Sequence, residues 1–345
     1  MKTSPSDSPP CDDAPIRRLW LSVYILPALN AADELGLFAL LDRAPRALPE
    51  IAAELGVSAR GAQALVAALA AADLLVALQG KFHLTELSRT YLLPGSPFYW
   101  GHMLRLYTHI AITHEGMMAA LRKDEPSAIN DGKVMTDAWG AAEVSPEQAL
   151  SLTRAMHSMS AAAAAGLAQV VDLAGVRRLL DVGGGSGCYS IAMAHRHPEA
   201  RFTVADLAPV CALAARYVAD ARAEGRVDTL AFDMFRGAWP SGYDAVFFAN
   251  VLHDWDKDRR LHLLRRAFEA LPPGGRVFVY EMLLSDAEDG PLTAALFSVC
   301  MVLFSPGKQF TAAELAAELR ACGFDEPSFA PAYGGYTLAS ARKPG

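Results

Sequence analysis

Paired cysteines, basic runs and long apolar stretches are all missing from this chain, and each absence removes a class of function. The five cysteines, Cys11, Cys188, Cys211, Cys300 and Cys322, are far apart, odd in number and without metal-ligand spacing. That argues against a disulfide framework and against a zinc site, and a reducing cytoplasm is expected. Lysine and arginine total 31 against 38 acidic residues, a net charge of −7, and no Lys/Arg run is long enough to follow a phosphate backbone. Nucleic acid is therefore not expected as a partner. Charges or prolines interrupt every apolar run within about 20 residues, so no membrane span is expected. Residues 1–15 lack the basic region and apolar core of a signal peptide and read as a disordered tail rich in Ser, Pro and Asp. Hydrophobic side chains are abundant, at 52% of 345 residues, enough for one large or two ordinary domains.

From Ile16 to about Tyr91 the pattern is helical and rich in Ala and Leu. Within it, "LPEIAAELGVSARGAQALVAALAAADLL" predicts a helix, a turn at Gly56, a cap at Ser58 and a second helix. "VALQGKFHLT" then predicts two short strands around Gln79-Gly80. Helix-turn-helix plus hairpin is a winged-helix pattern, whose usual work is to read DNA. The second helix offers only Arg60 and Gln63 as long polar side chains, too few for phosphate contacts. Such an Ala/Leu face packs on another helix, including a partner subunit's. A second helical stretch runs from Phe98 to about Ala174, broken by a polar loop near Lys123 to Gly132. From Arg177 onward, strand-like runs alternate with helices, which predicts a parallel sheet with an added C-terminal strand pair.

The sheet opens with Leu179-Leu180-Asp181-Val182, followed by Gly183-Gly184-Gly185-Ser186-Gly187 and a helical pattern. Strand, tight turn and helix begin a doubly wound α/β domain. A phosphate loop would need Gly-Lys-Ser/Thr at its end, and Cys188-Tyr189 stands there. The dinucleotide pattern fits imperfectly, because its third small residue falls on Cys188 or Ser190. Asp181 before the glycines repels a pyrophosphate and attracts an ammonium, while Asp206, ending the second strand, stands where a carboxylate hydrogen-bonds ribose hydroxyls. An adenosine-like sugar with a cationic end meets both demands, and S-adenosylmethionine (SAM) is such a molecule. Beyond the fourth strand, "NVLHDWDKDRR" sets His253, Asp254 and Trp255 at a strand end. Imidazole is the natural base for a hydroxyl at neutral pH, and Glu281, ending the next strand, can hold its other nitrogen.

Asp181 to Gly187 resembles the first motif of class I SAM-dependent methyltransferases. The resemblance implies cofactor contacts from Gly183, Gly184 and Gly185, from Asp206 with Leu207, and from Asp233-Met234 at the adenine. "LHDW", "GGRVFVYE" and "GKQFTAAELAAELRACGF", behind a winged-helix segment, are similar to the plant caffeate/hydroxyindole type of small-molecule O-methyltransferase and its bacterial relatives. "PAYGGYTLASARKP" is similar to the hydroxyneurosporene branch. The resemblance spans about Ile16 to Lys343 and implies an α/β fold: a Rossmann-like SAM domain with a mixed, mostly parallel seven-stranded sheet. An all-α winged-helix domain that forms an intertwined homodimer precedes it. The implied boundaries are 16–98 for dimerisation, 99–174 for linker and pocket helices, and 175–345 for the SAM domain. His253 is then the general base and Glu281 its partner, Met156 a pocket wall, and Ser160 and Trp255 lie near SAM.

The acceptor pocket is expected from Met156, Met159, Phe297, Met301 and Phe304, a soft apolar lining suited to a flat or polyene substrate, with Asp254 and Gln309 as its polar members. No metal is expected. Two departures stand out. Gln309 occupies the place of the family's second carboxylate, so a smaller rise of the His253 pKa is expected; Ala249 replaces a lysine frequent before the histidine. Methylation at carbon, a repurposed SAM-binding relative and a SAM-sensing regulator remain alternatives.

Overall fold

The computed structural model describes Pro9 and residues 11–345, except 109, 111, 125, 127–133 and 135. Most of the polar loop expected near Lys123 to Gly132 lies outside the described residues. The chain divides into two compact units, residues 1–108 and 109–345.

The first unit holds α1 (Ala14–Leu21), α2 (Ile25–Glu34), α3 (Leu37–Arg43), α4 (Leu48–Leu55), α5 (Ala59–Ala71), β1 (Leu75–Leu78), β2 (Lys81–Leu84), α6 (Glu86–Tyr91) and α7 (Gly101–Leu106). Ala14 and Pro15, expected in the tail, are helical instead, because proline in a first helical turn forfeits only an N–H with no intrahelical partner. Gly56 ends α4 with φ 65°, and the Ser58 hydroxyl accepts the Gly61 N–H at 3.0 Å to start α5. Leu37, Phe38, Leu41, Ile51, Val66 and Leu69 form this unit's core. Arg60 and Gln63 lie exposed on α5. On α1 and just beyond it, Ile16, Leu19, Trp20, Val23 and Tyr24 are 63–69% exposed, an apolar stripe on a first unit otherwise well packed. Among the described residues no single helix is long and apolar enough to cross a membrane; only the bent pair Ala14–Glu34 and Leu37–Arg43 reaches that measure together.

The second unit begins with α8 (His114–Lys123), α9 (Asp137–Ala141) and the long α10 (Pro146–Val170). A capping box from Ser145 and Gln148 starts α10, which packs on α11 and α12. There follow β3 (Arg178–Val182), α11 (Cys188–Arg196), β4 (Arg201–Asp206), α12 (Ala208–Asp220), β5 (Val227–Ala231), β6 (Ala245–Ala249) and α13 (Lys257–Ala270). The unit closes with β7 (Arg276–Met282), α14 (Leu292–Phe304), α15 (Ala312–Ala321), β8 (Ser328–Pro331) and β9 (Tyr336–Arg342).

The sheet has seven strands in the order β5-β4-β3-β6-β7-β9-β8, with β8 and β9 antiparallel and all other pairs parallel except β7 with β9. Both faces are covered, so the central strands are apolar throughout and alternate sides strictly. Leu179, Phe247, Phe278 and Tyr280 face the core under α10 to α12, while Leu180, Phe248, Val277 and Val279 face the core under α13 and α15. The chain runs outward from β3 to β5 and returns to β6, so the order reverses between β3 and β6. Open α/β sheets bind ligands in that crevice, at the carboxyl ends of the strands.

Candidate active site

The glycine turn lies where β3 leaves the sheet. Gly183 and Gly185 have φ of 68° and 57°, which favours glycine. A Cβ on Gly183 would stand 2.9 Å from a Val251 methyl, and one on Gly184 would stand 2.8 Å from the Asp181 carboxyl carbon. The turn is thus pressed between the ends of β3 and β6, and only backbone fits. Asp206 accepts the Gly185 N–H at 2.9 Å and the Leu207 N–H at 2.7 Å, so the second strand's acid shapes the turn directly. Asp181 is buried and accepts the Ser190 hydroxyl at 2.6 Å. Burial, with a smaller push from Asp206, raises the Asp181 pKa to about 7, and burial raises that of Asp206 to about 6. Both acids are primed for a cationic, hydrogen-bonding ligand. His157 on α10 joins the turn from outside, with Nδ1 2.8 Å from the Ser186 hydroxyl.

After β5, Asp233 accepts the Phe235 N–H at 2.9 Å through Oδ1, while its buried Oδ2 makes no hydrogen bond and lies 3.5 Å from Arg236 Nε in an ion pair. An amino group, such as that of an adenine, suits such an oxygen. Met234 and Phe235 pack on the core that contains Trp255, and the Phe235 ring meets Trp255 edge-on at 4.7 Å. Trp255 is 2% exposed with its indole N–H unpaired. A glycine cradle, two desolvated acids and a third carboxylate oxygen without a hydrogen bond are a set of acceptors that fits the cationic end, ribose hydroxyls and adenine amino group of SAM.

Glu281, at the end of β7, is fully buried and organises the histidine. Its Oε1 accepts the N–H groups of Val251 and Leu252, each at 3.2 Å, and its Oε2 accepts His253 Nδ1–H at 2.6 Å. The carboxylate therefore caps the one-turn 3-10 helix Leu252–Asp254 and orients its central side chain. With Nδ1 so held, Nε2 is the free nitrogen, 3.6 Å from Asp254 Oδ1. Burial alone would depress the His253 pKa, but the charges of Glu281 and Asp254 outweigh it and lift the value from 6.5 to about 9. Two carboxylates thus support the imidazole although Gln309 carries no charge. Asp254, placed in the pocket by the sequence reading, supplies the second carboxylate itself, and burial raises its own pKa to about 6.

Phe297 on α14 meets the imidazole edge-on at 5.2 Å. Met301 and Phe304 are buried one and two turns further along α14, and Met301 Sδ receives the Ser305 hydroxyl at 3.4 Å. Met156 and Met159 are half-buried on α10. Ser160, assigned to the cofactor, is buried within hydrogen-bonding reach of Tyr189. Gln309 is 1% exposed. Its segment is jammed onto the histidine turn: a Cβ on Gly307 would stand 1.8 Å from the His253 carbonyl oxygen. Gly307→Ala must push the two segments apart, and is expected to cost about 1–3 kcal/mol, the usual toll of overpacking, and to lower kcat more than SAM affinity. Thermal melts and initial rates check this, and an unchanged melting temperature would show that the contact is absent.

Sequence reasoning missed a polar cluster behind the turn. Asn250 leaves β6 with φ 53°, and its amide donates to the Tyr189 hydroxyl at 3.2 Å. Tyr189 meets Tyr280 edge-on at 5.6 Å, and Tyr280 stacks on Tyr336 at 4.7 Å. A further support is Arg260, which donates to the Trp255 carbonyl at 2.9 Å and makes a buried bidentate pair with Glu318 at 2.7 and 3.1 Å. Among the described residues no group of metal-ligating side chains comes together.

A doubly wound sheet with this crevice, glycine turn and acid register defines a SAM-dependent methyltransferase. Residues 116–325 match the O-methyltransferase domain and residues 18–94 the O-methyltransferase dimerisation domain, so the chain belongs to that family of SAM-dependent O-methyltransferases. It is 36% identical to 3-hydroxy-5-methyl-1-naphthoate 3-O-methyltransferase of Streptomyces sahachiroi over 328 residues, 94% of this chain and 93% of that one. It is 29% identical to L-tyrosine C(3)-methyltransferase of Streptomyces lavendulae over 338 residues, 94% and 92% of the two chains. The fold matches human N-acetylserotonin methyltransferase in complex with SAM, with a TM-score of 0.85, 26% identity and coverage of 98% of this chain and 100% of that one.

Proposed function

We propose that this enzyme methylates a hydroxyl of a fused-ring aromatic small molecule of secondary metabolism, with His253 as general base. The observation that carries the reading is the Glu281–His253–Asp254 set: buried Glu281 holds Nδ1 of the buried imidazole, and half-buried Asp254 stands 3.6 Å from Nε2, on the segment that follows β6. SAM supplies the electrophilic methyl group. In this reading Gly183, Gly184 and Gly185 admit it closely, Asp181 faces its cationic end, Asp206 takes the ribose hydroxyls, and Asp233 with Met234 takes the adenine. Leu207, Ser160 and Trp255 complete that wall. His253 Nε2 accepts the acceptor's proton as the oxygen attacks, and Glu281 and Asp254 stabilise the imidazolium. A phenol's pKa of about 10 lies close to that of this histidine, so the proton moves with little uphill cost. Phe297, Met301, Phe304, Met156 and Met159 supply flat, soft contacts for a ring system.

The naphthoate relative supports an aromatic acceptor. The exposed apolar stripe on and just beyond α1, all but Ile16 inside the segment that matches the dimerisation domain, supports a homodimer, and five free cysteines support a reducing cytoplasm. Incubation with SAM and a panel of hydroxynaphthoates, phenols and hydroxylated carotenoids, with fragmentation of the products, tests the reading. An O-methyl ether of a ring acceptor is the expected product. A methyl found on ring carbon, as the tyrosine C-methyltransferase relative would suggest, overturns it.

A further inference from the structure

Gln309 is a buried amide with nothing to bond. It is 1% exposed, and neither its oxygen nor its nitrogen has a hydrogen-bond partner. The backbone on both sides of it is fixed. Upstream, the Gly307 N–H donates to the Ser305 hydroxyl at 3.3 Å, and Gly307 leaves no room for a Cβ against the His253 and Asp254 backbone. Downstream, the Phe310 carbonyl accepts the Leu284 N–H at 3.1 Å, and Thr311 caps α15 in a reciprocal box with Glu314. The backbone is thus held on both sides of the buried amide. A buried amide with both ends unpaired is costly unless a ligand completes its bonds.

The choice of amide matters because of what already surrounds His253. Glu281 and Asp254 place two carboxylates against the imidazole. A third would set a further negative charge beside the acceptor and offer only hydrogen-bond acceptors. Glutamine has nearly the same shape, carries no charge and brings two N–H donors. The site is thereby built to receive an oxygen that accepts, and to tolerate one that is anionic.

We propose that Gln309 sets acceptor specificity, donating from its amide to a carboxylate or carbonyl oxygen on the aromatic acceptor, so that hydroxyaryl carboxylates are preferred to polyhydroxylated rings. The inference rests on the reading of an aryl hydroxyl as the acceptor. It is tested with 3-hydroxy-1-naphthoate and 1,3-dihydroxynaphthalene, which share a ring and differ in one substituent, and 2-naphthol as reference. Wild type is expected to favour the carboxylate in kcat/KM, and Gln309→Glu to lose about 30-fold on it, as expected for a hydrogen bond to a charged group turned repulsive. The same variant loses less on the diol, which carries no charge for the new carboxylate to repel, so the preference crosses over. Gln309→Met, which removes polarity without adding charge, is expected to reduce the ratio towards one.

S-adenosylhomocysteine titration identifies any variant that has lost its fold, and Gln309→Met then decides alone. Equal changes on both naphthalenes, or a wild-type preference for the diol, overturn the role of Gln309 and leave the general reading intact. Turnover of none of the three acceptors by a SAM-binding wild type overturns the aryl-hydroxyl reading itself.

Discussion

His253→Ala is expected to lower kcat for the aryl acceptor by about 10²–10⁴-fold, the range set by removal of a positioned general base, while SAM affinity stays within a factor of two. The same assignment fixes the pH profile. His253 is raised in the folded protein to about 9 because Glu281 and Asp254 stabilise the imidazolium. Below that pH the base is occupied by a proton, so log kcat/KM rises with unit slope through pH 7 and 8 and levels near 9. Removal of one supporting charge in Glu281→Gln moves this limb to lower pH and also loosens the Nδ1 contact, lowering the plateau. A single set of stopped assays from pH 6 to 10, in wild type and both variants, measures it. A flat wild-type profile, or a His253→Ala enzyme retaining a tenth of its rate, would remove His253 from the role of base.

The stability consequence has the opposite direction. A histidine whose pKa rises from 6.5 to about 9 on folding contributes stability that is complete below pH 6.5 and is lost as pH passes 9. The enzyme thus gains free base over the same window in which this contribution fades.

Local features of the fold were legible in the sequence because they depend on local chemistry. The hairpin turn was marked by Gln79-Gly80, and both residues take positive φ, 50° and 75°. Gly56 and Ser58 stop and start their helices through their own backbone and hydroxyl. The glycine turn and the strand-end acids share a register because each βα unit repeats the same strand-turn-helix geometry, so Asp181 and Asp206 could be paired from spacing alone. The rest depends on contacts across the sheet. Tyr189, Tyr280 and Tyr336 are three of ten tyrosines, with no spacing that marks them, and they meet only because β7 lies between β6 and β9. The contact of Asp254 with the histidine was hidden for a different reason. Sequence adjacency to His253 does not reveal that a one-turn 3-10 helix folds its carboxylate back to 3.6 Å from Nε2. Gln309 was read as a lost charge, whereas its buried, unpaired amide became visible only once its neighbours were placed.

Asp206→Ala is expected to weaken SAM and S-adenosylhomocysteine binding by about 100-fold or more, since it removes the carboxylate proposed to take the ribose hydroxyls and also the acceptor for the Gly185 and Leu207 N–H groups that shape the turn. Asp206→Asn separates the two contributions, because its amide oxygen can still accept one N–H but carries no charge. The wild type carries its own control in pH. Burial holds Asp181 near 7 and Asp206 near 6 in the protein without ligand, and a cationic, hydrogen-bonding ligand favours the ionised form of both. Binding therefore releases protons below pH 7, and affinity falls as pH drops from 7 towards 5.5, by up to about tenfold per unit for each proton released. Asp181, held near 7, is only half ionised at pH 7, so the gain from these acids levels off about one pH unit higher. Calorimetric titration at pH 5.5, 6.5 and 7.5, in two buffers of different ionisation heat, counts the protons. Release that persists in Asp206→Asn identifies Asp181 as the second titrating group. Affinity independent of pH across that window, or an Asp206→Ala enzyme that binds as tightly as wild type, would mean that the acids at the ends of β3 and β4 shape the turn without holding the cofactor.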